Sequence, residues 1–326
     1  MIKILFVAAL LVSSFAAELD ISAFEMVDPT EEELKVLYNQ YLQIDAYGEP
    51  HRPGKFETFK RNVLNIIAHN RNPNKTFTRA VNQFAGYTLE ELKGKAIMST
   101  DFDCPVEAPS PTIVLDDITV PTAFDWRALG VVLPVKNQGK CGSCWAFATT
   151  AALESHWALY TKKPPVSLSE QQLVDCSTAY GNEGCNGGLP YSTFEYIMNA
   201  GGNEGETSYP YTGTDDQCKF DSSKVIAKAP YGSFNISIGD ENAMLLYTFT
   251  RGPVAICFQV VDDFFSYKSG IYSSDTCSPL GADTNHCVTI VGFGVDQNSG
   301  ENYWIVRNSW GTSWGMNGYF YIKRGV

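Results

Sequence analysis

Apolar residues near the start of the chain recur at intervals of three and four positions, which is the spacing of one face of an α-helix. Phe59, Val63, Ile66 and Ile67 follow this spacing and predict a helix with one buried face. Upstream, a Pro-Thr pair precedes three consecutive glutamates, an order typical of a helix start because carboxylates stabilise its positive end. Residues 28–70 are therefore predicted to be helical.

The pattern changes twice further along the chain. Between Cys104 and Pro121 prolines are frequent and no helical period is visible, so we predict a linker there. An alanine-rich stretch from Cys144 to Tyr160 is followed by two lysines and two prolines, the order expected at a helix end. Beyond residue 233, β-prone runs separated by glycines predict strands, at 254–261, 288–291, 303–306 and 319–322.

A helical half followed by a β half predicts a two-lobed α+β protein. The helical lobe should span about 131–232 and the β lobe about 233–326. The composition, with 44% hydrophobic and 13% aromatic residues, is that of a folded globular chain and indicates neither disorder nor a fibrous repeat. The net charge of −12 argues against nucleic acid or anionic lipid as partners.

The first residues predict a secretory signal peptide at 1–17. Lys3 supplies a positive start, an apolar run follows to Val12, and small residues precede Ala17. The apolar run is too short for a membrane anchor. Secretion would place the nine cysteines in an oxidising compartment, where an odd count leaves at least one thiol unpaired. Glycosylation sequons occur at Asn74 and Asn235.

The strongest chemical signal is a cysteine at the predicted start of the alanine-rich helix. Cys144 lies in the segment QGKCGSCW, and a helix N-terminus with an imidazolium nearby favours the reactive thiolate. Cys141 leaves two other interpretations open, a structural bridge or the redox pair of a thiol-disulfide oxidoreductase. The redox interpretation predicts that both cysteines cycle between oxidised and reduced forms, and it gives no role to the histidines.

The four histidines leave one candidate for a catalytic base. His51 and His69 fall in the part upstream of the linker. His156 lies 156 − 144 = 12 positions along the helix from Cys144, which at about 1.5 Å per residue separates them by about 18 Å. His286 therefore remains, and it must reach Cys144 from the β half.

An orienting residue and an oxyanion donor complete this arrangement. Asn308 can fix the imidazole through its amide oxygen without adding negative charge, and Trp310 can keep water away from that contact. The side-chain amide of Gln138 and the backbone N–H of Cys144 are suitable donors for an oxyanion.

Five ordered segments resemble the papain family of cysteine proteases, most closely cathepsins of the H and L type. The resemblance extends over nearly all of 121–326, and the segments that carry it are QGKCGSCWAF, SEQQLVDCS, GCNGGLP, TNHCVTIVGFG and YWIVRNSWGTSWGMNGYF. The cysteine segment is a known local signature of this family. The resemblance implies a papain-like fold with a helical lobe and a β-barrel-like lobe, and a cysteine-type endopeptidase acting through a thioester acyl-enzyme. It implies no cofactor and no metal.

Carried over residue by residue, the resemblance assigns a role to each matching position. It implies Cys144 as nucleophile, His286 as general base and then acid, Asn308 as orienter, Gln138 as oxyanion donor and Trp310 as the shield of Asn308. It also implies the disulfides Cys141–Cys185 and Cys176–Cys218. The substrate cleft would be lined by Gly187, Gly188, Leu189, Pro190, Cys257, Thr284, Asn285, Cys287 and Trp310. Within this set, the S2 subsite would be formed by Leu189, Pro190, Cys257, Thr284 and Cys287. Because this lining is apolar, substrates with a hydrophobic side chain at P2 should be preferred.

The upstream segment resembles cathepsin propeptides. Phe59, Asn62, Ile66 and Asn70 reproduce part of their helical motif, and Asn82 with Phe84 resembles the following strand motif. We therefore expect residues 18–119 to be an inhibitory propeptide and 120–326 to be the peptidase domain. The match is partial, because related propeptides carry Glu, Arg and Asp where this chain has His51, Lys55 and Gly86, and we still expect the segment to block the cleft.

The chain also departs from the family in its cysteines. Relatives continue beyond Val326, so we expect the C-terminal end to be truncated, with the partners of Cys277 and Cys104 in the missing segment. Cys104 resembles the position of the cathepsin H propeptide remnant, which makes an aminopeptidase the alternative to an endopeptidase. Cys257 and Cys287 are interpreted as small buried residues with inert thiols, and a bridge or an oxidation-sensitive pocket is the alternative.

The expected partners follow from the same resemblance. They are protein and peptide substrates, the chain's own propeptide and cystatin-like inhibitors, with the protein acting as a monomer. An inactive protein on a protease scaffold is a third possibility because of the missing C-terminal segment. We expect the secretory pathway to deliver the protein to a lysosome or digestive vacuole, or outside the cell.

Overall fold

A computed structural model describes residues 18–49, 52–99, 118–278 and 283–325. The predicted signal peptide, Cys104 with most of the linker, and Val326 lie outside these ranges. Within them, no helix is both long and apolar enough to cross a membrane.

The described residues form seven α-helices and nine strands. The helices are α1 Glu31–Tyr41, α2 Lys55–Arg71, α3 Leu89–Leu92, α4 Cys144–Thr161, α5 Glu170–Cys176, α6 Pro190–Ala200 and α7 Glu241–Thr250. The strands are β1 Phe77–Arg79, β2 Phe124–Asp125, β3 Asn203–Glu204, β4 Val225–Ala227, β5 Val254–Phe258, β6 Tyr267–Tyr272, β7 His286–Val295, β8 Asn302–Arg307 and β9 Tyr319–Lys323.

The stretch predicted to be helical over 28–70 consists of two packed helices. Thr30 starts α1 with a capping box, in which its hydroxyl accepts from the Glu33 amide, as the Pro-Thr-Glu order predicts. The two helices are separated by a loop that includes Pro53, and Gly54 precedes α2 with a φ of 74°. Glycine adopts this left-handed conformation without steric cost, so the helix is interrupted here. The predicted face of α2 is buried in a core shared with α1.

The loop between these helices buries a charged pair. Lys55 forms an ion pair with Asp45, and both side chains are fully buried. Gly86 lies against this pair: a Cβ at that position would be 2.7 Å from the Tyr41 hydroxyl and 2.9 Å from Lys55 Cε. Position 86 therefore has no room for an acidic side chain, and the carboxylate that pairs with Lys55 comes from Asp45.

Helix α4 is the central element of the helical part. It is buried along most of its length, as its alanine-rich sequence allows, and it packs against β7, β5 and α6. It ends at Thr161, and the next residue, Lys162, takes a left-handed conformation with φ 57°. The structure thus extends the predicted helix by one residue, to Thr161.

Seven strands form one sheet in the order β1-β6-β9-β8-β7-β2, with β5 also paired to β7. All neighbours are antiparallel except β6 and β9. Strand β2 joins the sheet of the β part although it precedes residue 131. The short strands β3 and β4 pair with each other within the predicted helical lobe. An aromatic-rich core fills the space between the sheet and the segments packed on it.

The upstream segment is continuous with this architecture. Strand β1 pairs antiparallel with β6, with Phe77 opposite Gly270. After the short helix α3, the chain runs past Gln138 and Asn285 as far as Ser99. The segment therefore both extends the sheet and passes through the cleft between the helical and β parts.

Candidate active site

Cys144 is the first residue of α4, at the boundary with β7. Its side chain is fully buried, and its Sγ accepts a hydrogen bond from the Cys287 amide at 3.4 Å. Burial raises the pKa of the Cys144 thiol to about 12, although the backbone amides of Cys287 and Trp145 act in the opposite direction. Burial therefore disfavours the thiolate in this form of the protein.

His286 is the first residue of β7 and is held by two side chains. Its Nε2 lies 2.8 Å from Asn308 Oδ1, and the Trp310 ring stacks on the imidazole with a centroid distance of 4.7 Å. The Ser309 amide also donates to Asn308 Oδ1, which fixes the orientation of the Asn308 side chain. Nε2 must then carry the proton, and Nδ1 is the basic nitrogen.

The basic nitrogen of His286 has no hydrogen-bond partner among the described residues. Burial lowers the pKa of His286 to about 4, and the hydrogen bond with Asn308 acts against this shift. His286 directly precedes Cys287 in β7, and the Cys287 amide donates to Cys144 Sγ. The imidazole therefore belongs to the residue next to the backbone group that contacts the thiol. His156 is elsewhere, with its Nε2 3.0 Å from the Pro253 carbonyl.

The amide of Gln138 is occupied by the upstream segment. Its Nε2 donates to the carbonyl oxygens of Lys95 and Ala96, each at 3.1 Å, and to that of Cys141 at 2.9 Å. Its Oε1 accepts from Ser309 Oγ at 2.6 Å, which aims the nitrogen into the cleft. A carbonyl oxygen of the upstream segment thus lies against the amide expected to bind an oxyanion.

The same segment fills the rest of the cleft. The Met98 amide donates to the Asn285 carbonyl at 2.9 Å, and the Ser99 amide donates to the Asn186 carbonyl at 2.8 Å. The Met98 side chain is buried in the apolar cluster that contains Cys287 and against which Cys257 packs. Asn186 was missed by the sequence reasoning because it contributes a backbone carbonyl, which carries no side-chain signal.

The remaining predicted cleft residues differ in how closely they are enclosed. Gly188 is tightly enclosed, because a Cβ there would lie 2.5 Å from Asn182 Oδ1. Leu189 and Pro190 form the start of α6. Three further predicted lining residues are buried, namely Thr284, Asn285 and Gly187. Asn285 is held by paired hydrogen bonds between its side-chain amide and the backbone of Val260.

Three disulfides are present among the described residues. Cys141–Cys185 and Cys176–Cys218 are the pairings implied by the resemblance. The third, Cys257–Cys287, overturns the interpretation of these two cysteines as inert thiols. They lie directly opposite each other on β5 and β7, a register that the sequence alone does not reveal. The Cys141–Cys144 redox pair also fails, because Cys141 is bonded to Cys185 and Cys144 is free.

A cluster of buried charged side chains lies next to the candidate site. Lys136 Nζ lies 3.0 Å from Glu154 and 2.6 Å from Glu170, and Arg307 approaches Glu154 at 3.6 Å. Burial raises the pKa of Glu170 in spite of the attraction to Lys136. Because Arg307 directly precedes Asn308, the cluster connects the end of β8 to helices α4 and α5. Sequence reasoning did not identify it.

Comparison with known proteins agrees with this geometry. Residues 120–326 match the family described as papain family cysteine protease, and residues 47–92 match the cathepsin propeptide inhibitor domain. The chain therefore belongs to the papain family of cysteine proteases, and it is made as a zymogen with a propeptide.

Individual relatives carry the names of cathepsins and thiol proteases. Pro-cathepsin H of Mus musculus is 45% identical over 272 residues, which are 83% of this chain and 80% of that protein. Thiol protease aleurain of Arabidopsis thaliana is 41% identical over 83% of this chain and 74% of its own length. The solved structure of digestive procathepsin L 3 of Tenebrio molitor larval midgut has a TM-score of 0.79 and 34% identity, covering 90% of this chain and 94% of that chain.

Proposed function

We propose that the protein is a cysteine-type endopeptidase in which Cys144, His286 and Asn308 carry out acyl transfer. The Cys144 thiolate attacks the peptide carbonyl carbon, and the His286 imidazolium gives its proton to the leaving amine. The resulting thioester is hydrolysed by water, with His286 now accepting a proton. Gln138 and the Cys144 amide stabilise the oxyanion of each tetrahedral intermediate.

One observation carries this proposal. The imidazole of His286 is fixed through Nε2 by Asn308, while Nδ1, its basic nitrogen, has no partner among the residues that the structure describes. His286 is followed in the chain by Cys287, whose backbone amide donates to Cys144 Sγ. An oriented base beside a free thiol at a helix start is the arrangement that nucleophilic catalysis by cysteine requires.

The propeptide holds this site in an inactive state by occupying it. The carbonyl of Ala96 accepts a hydrogen bond from the Gln138 amide, and burial disfavours the charged forms of both the thiol and the imidazole. When the propeptide leaves, water reaches both groups, and the charged thiolate-imidazolium pair becomes accessible. Removal of residues up to about 119 would therefore activate the enzyme.

An apolar side chain is the expected choice at the S2 subsite. Met98 of the propeptide is buried beside Cys287 and Cys257, so this part of the cleft already accommodates a flexible apolar side chain. Substrates with Leu, Phe or Met at P2 should therefore be preferred over substrates with charged residues there.

Acid-treated precursor labelled with an epoxide inactivator of cysteine proteases tests the proposal. Peptide mass mapping should find the label on Cys144 and loss of a fragment ending near Val120. The Cys144→Ser variant is the matched control and should stay unlabelled and unprocessed. An unlabelled Cys144 in folded, processed protein would instead favour an inactive protein on a protease scaffold.

An aminopeptidase of the cathepsin H type is the second candidate, favoured by the 45% identity to pro-cathepsin H. Hydrolysis of a substrate with a free amino terminus should be compared with its N-blocked analogue. Preference for the blocked substrate excludes the aminopeptidase. We further propose a monomer that is inhibited by cystatin-like proteins and works in a lysosome, a digestive vacuole or outside the cell.

A further inference from the structure

A disulfide crosses the sheet beside the proposed catalytic pair. Cys257 on β5 and Cys287 on β7 lie directly opposite each other, with a Cα–Cα distance of 4.0 Å. Cys287 is fully buried, follows His286 and donates its amide to Cys144 Sγ. We propose that the Cys257–Cys287 disulfide is a positioning element of the active site, which holds the start of β7 so that thiol and imidazole stay aligned. The inference rests on the proposed function.

The need for such a link follows from how the start of β7 is held. Strand β8 pairs with β7 only as far as Thr289, opposite Arg307. Residues 286–288 therefore have a strand neighbour on one side only, namely β5. On the other side lies the start of α4, which offers the Cys144 thiol as an acceptor in place of a carbonyl. The catalytic end of β7 has fewer strand contacts than its middle.

The backbone geometry explains why the disulfide lies at this pair of residues. A Cα separation of 4.0 Å is near the value of about 4.5 Å for a non-hydrogen-bonded antiparallel pair, in which the backbone N–H groups point away from the partner strand. The Cys287 N–H is thereby directed away from β5 and is free to donate to Cys144. The two strands have no mutual hydrogen bonds at this pair, and the disulfide joins them there.

The link acts on the histidine through the adjoining backbone. His286 lies opposite Phe258 on β5, one residue from the disulfide on both strands. Asn308 and Trp310 hold the imidazole ring from the segment after β8, but neither holds the backbone of His286. Without the disulfide, β7 can shift relative to α4, and a shift of about 1 Å in a catalytic group can cost about 10²-fold in rate.

This arrangement requires two cysteine oxidation states in one cleft. Cys144 must be a free thiol, whereas Cys257 and Cys287 must stay oxidised. A dithiol reductant that reached the buried bond would transfer two electrons and two protons to it, forming two thiols while the reductant became a disulfide. Activity should therefore rise with mild reductant, which protects Cys144, and fall once the Cys257–Cys287 bond is reduced.

The test compares mature enzymes that lack one disulfide each. The variant carries Cys257→Ala and Cys287→Ala. The matched control carries Cys176→Ala and Cys218→Ala, which removes a disulfide that joins residues 42 positions apart, against 30 for Cys257–Cys287. Epoxide titration of Cys144 gives the concentration of active sites. We expect the first variant to lose about 10-fold or more in kcat, with a shifted pH profile of kcat/KM, and the control to keep both.

The outcomes separate the possible errors. A change confined to KM for different P2 side chains would make the disulfide a wall of the S2 subsite and overturn the positioning role. The positioning role is also overturned if the variant without the Cys257–Cys287 disulfide has the same kcat and the same pH profile as the control. Absence of epoxide label on wild-type Cys144 would contradict the proposed function itself.

A second measurement serves if the double variant does not fold. Wild-type enzyme is treated with increasing dithiothreitol, and each sample is assayed and then alkylated for mass mapping. Loss of activity should follow the appearance of thiols at Cys257 and Cys287, and not those at Cys176 and Cys218. Full activity with the Cys257–Cys287 bond completely reduced overturns the inference.

Discussion

The buried ion pair in the propeptide should decide how firmly the propeptide is folded. The Asp45 carboxylate accepts from the Tyr87 hydroxyl at 2.7 Å, from the amides of Glu49 and Tyr47, and from the Lys55 ammonium. Both charged side chains are fully buried. Asp45→Asn removes the negative charge but keeps the size of the side chain, so Lys55 remains buried without a counter-ion.

The expected loss of stability is large. Removing one partner of a buried ion pair costs about 3–5 kcal/mol, and 3 kcal/mol corresponds to a factor of about 10² in a folding equilibrium. Asp28→Asn provides the matched control, since its ion pair with Arg71 has a carboxylate that is 79% exposed. An exposed pair contributes about 1 kcal/mol or less.

The effect has a defined pH dependence. Burial alone would raise the pKa of Asp45, but hydrogen bonds from Lys55, Tyr87 and the Tyr47 amide outweigh burial and hold the pKa below its ordinary value. Such a carboxylate stabilises the fold above its unfolded pKa of about 3.9 and loses this contribution as the pH falls through its folded-state pKa. The difference between wild type and Asp45→Asn should therefore be constant near neutral pH and shrink below about pH 4.

Urea unfolding of precursors that also carry Cys144→Ala measures this difference without self-cleavage. In active precursors, Asp45→Asn should process itself at a higher pH than wild type or the Asp28→Asn control. The reasoning is refuted if both variants unfold at the same urea concentration at pH 7, or if the difference between Asp45→Asn and wild type grows on acidification.

Three further outcomes follow from the site. Asn308→Ala should lower kcat about 10²-fold or more with little change in KM, because it releases the base; steady-state kinetics check this, and an unchanged kcat contradicts it. Lys136→Met leaves the buried Glu170 without an ion-pair partner and Glu154 with Arg307 alone, and it should cost about 3–5 kcal/mol in urea unfolding. Lys323→Met, at a partly exposed pair, should cost less than about 1 kcal/mol. Alkylation of Cys144 by iodoacetamide at pH 6 should be at least about 10²-fold faster after propeptide removal, because burial raises the pKa of this thiol to about 12 in the precursor. Equal rates before and after removal would contradict that assignment.

Local patterns were sufficient to predict the elements that hold the candidate catalytic residues. The start of α4 at Cys144 follows from alanine-rich sequence after a glycine-containing loop, and its observed bounds differ from the prediction by one residue. The run around Val288 predicts a strand, and β7 contains it although it begins earlier, at His286. The choice of His286 over His156 needed only helix geometry.

Features that depend on distant contacts could not be predicted. The Cys257–Cys287 bond requires the register of β5 against β7, and neither cysteine has a local signal for it. The contact of Gln138 with Ala96 joins residues 42 positions apart through a backbone carbonyl. The burial of Lys55 with Asp45 depends on a loop whose path is set by glycines, whereas the sequence pattern there predicted only continued helix.

The pairing of β1 with β6 affects the enzyme after activation as well as before it. Once the propeptide is gone, β6 becomes the outermost strand of the sheet and its backbone N–H and C=O groups lose their partner. Bare sheet edges promote association between chains, and a lysine on the strand opposes it. Lys268 is exposed on β6 and would serve this purpose. Strand β1 thus covers this edge in the precursor, and after its removal Lys268 is the charged side chain that we expect to oppose pairing with another chain.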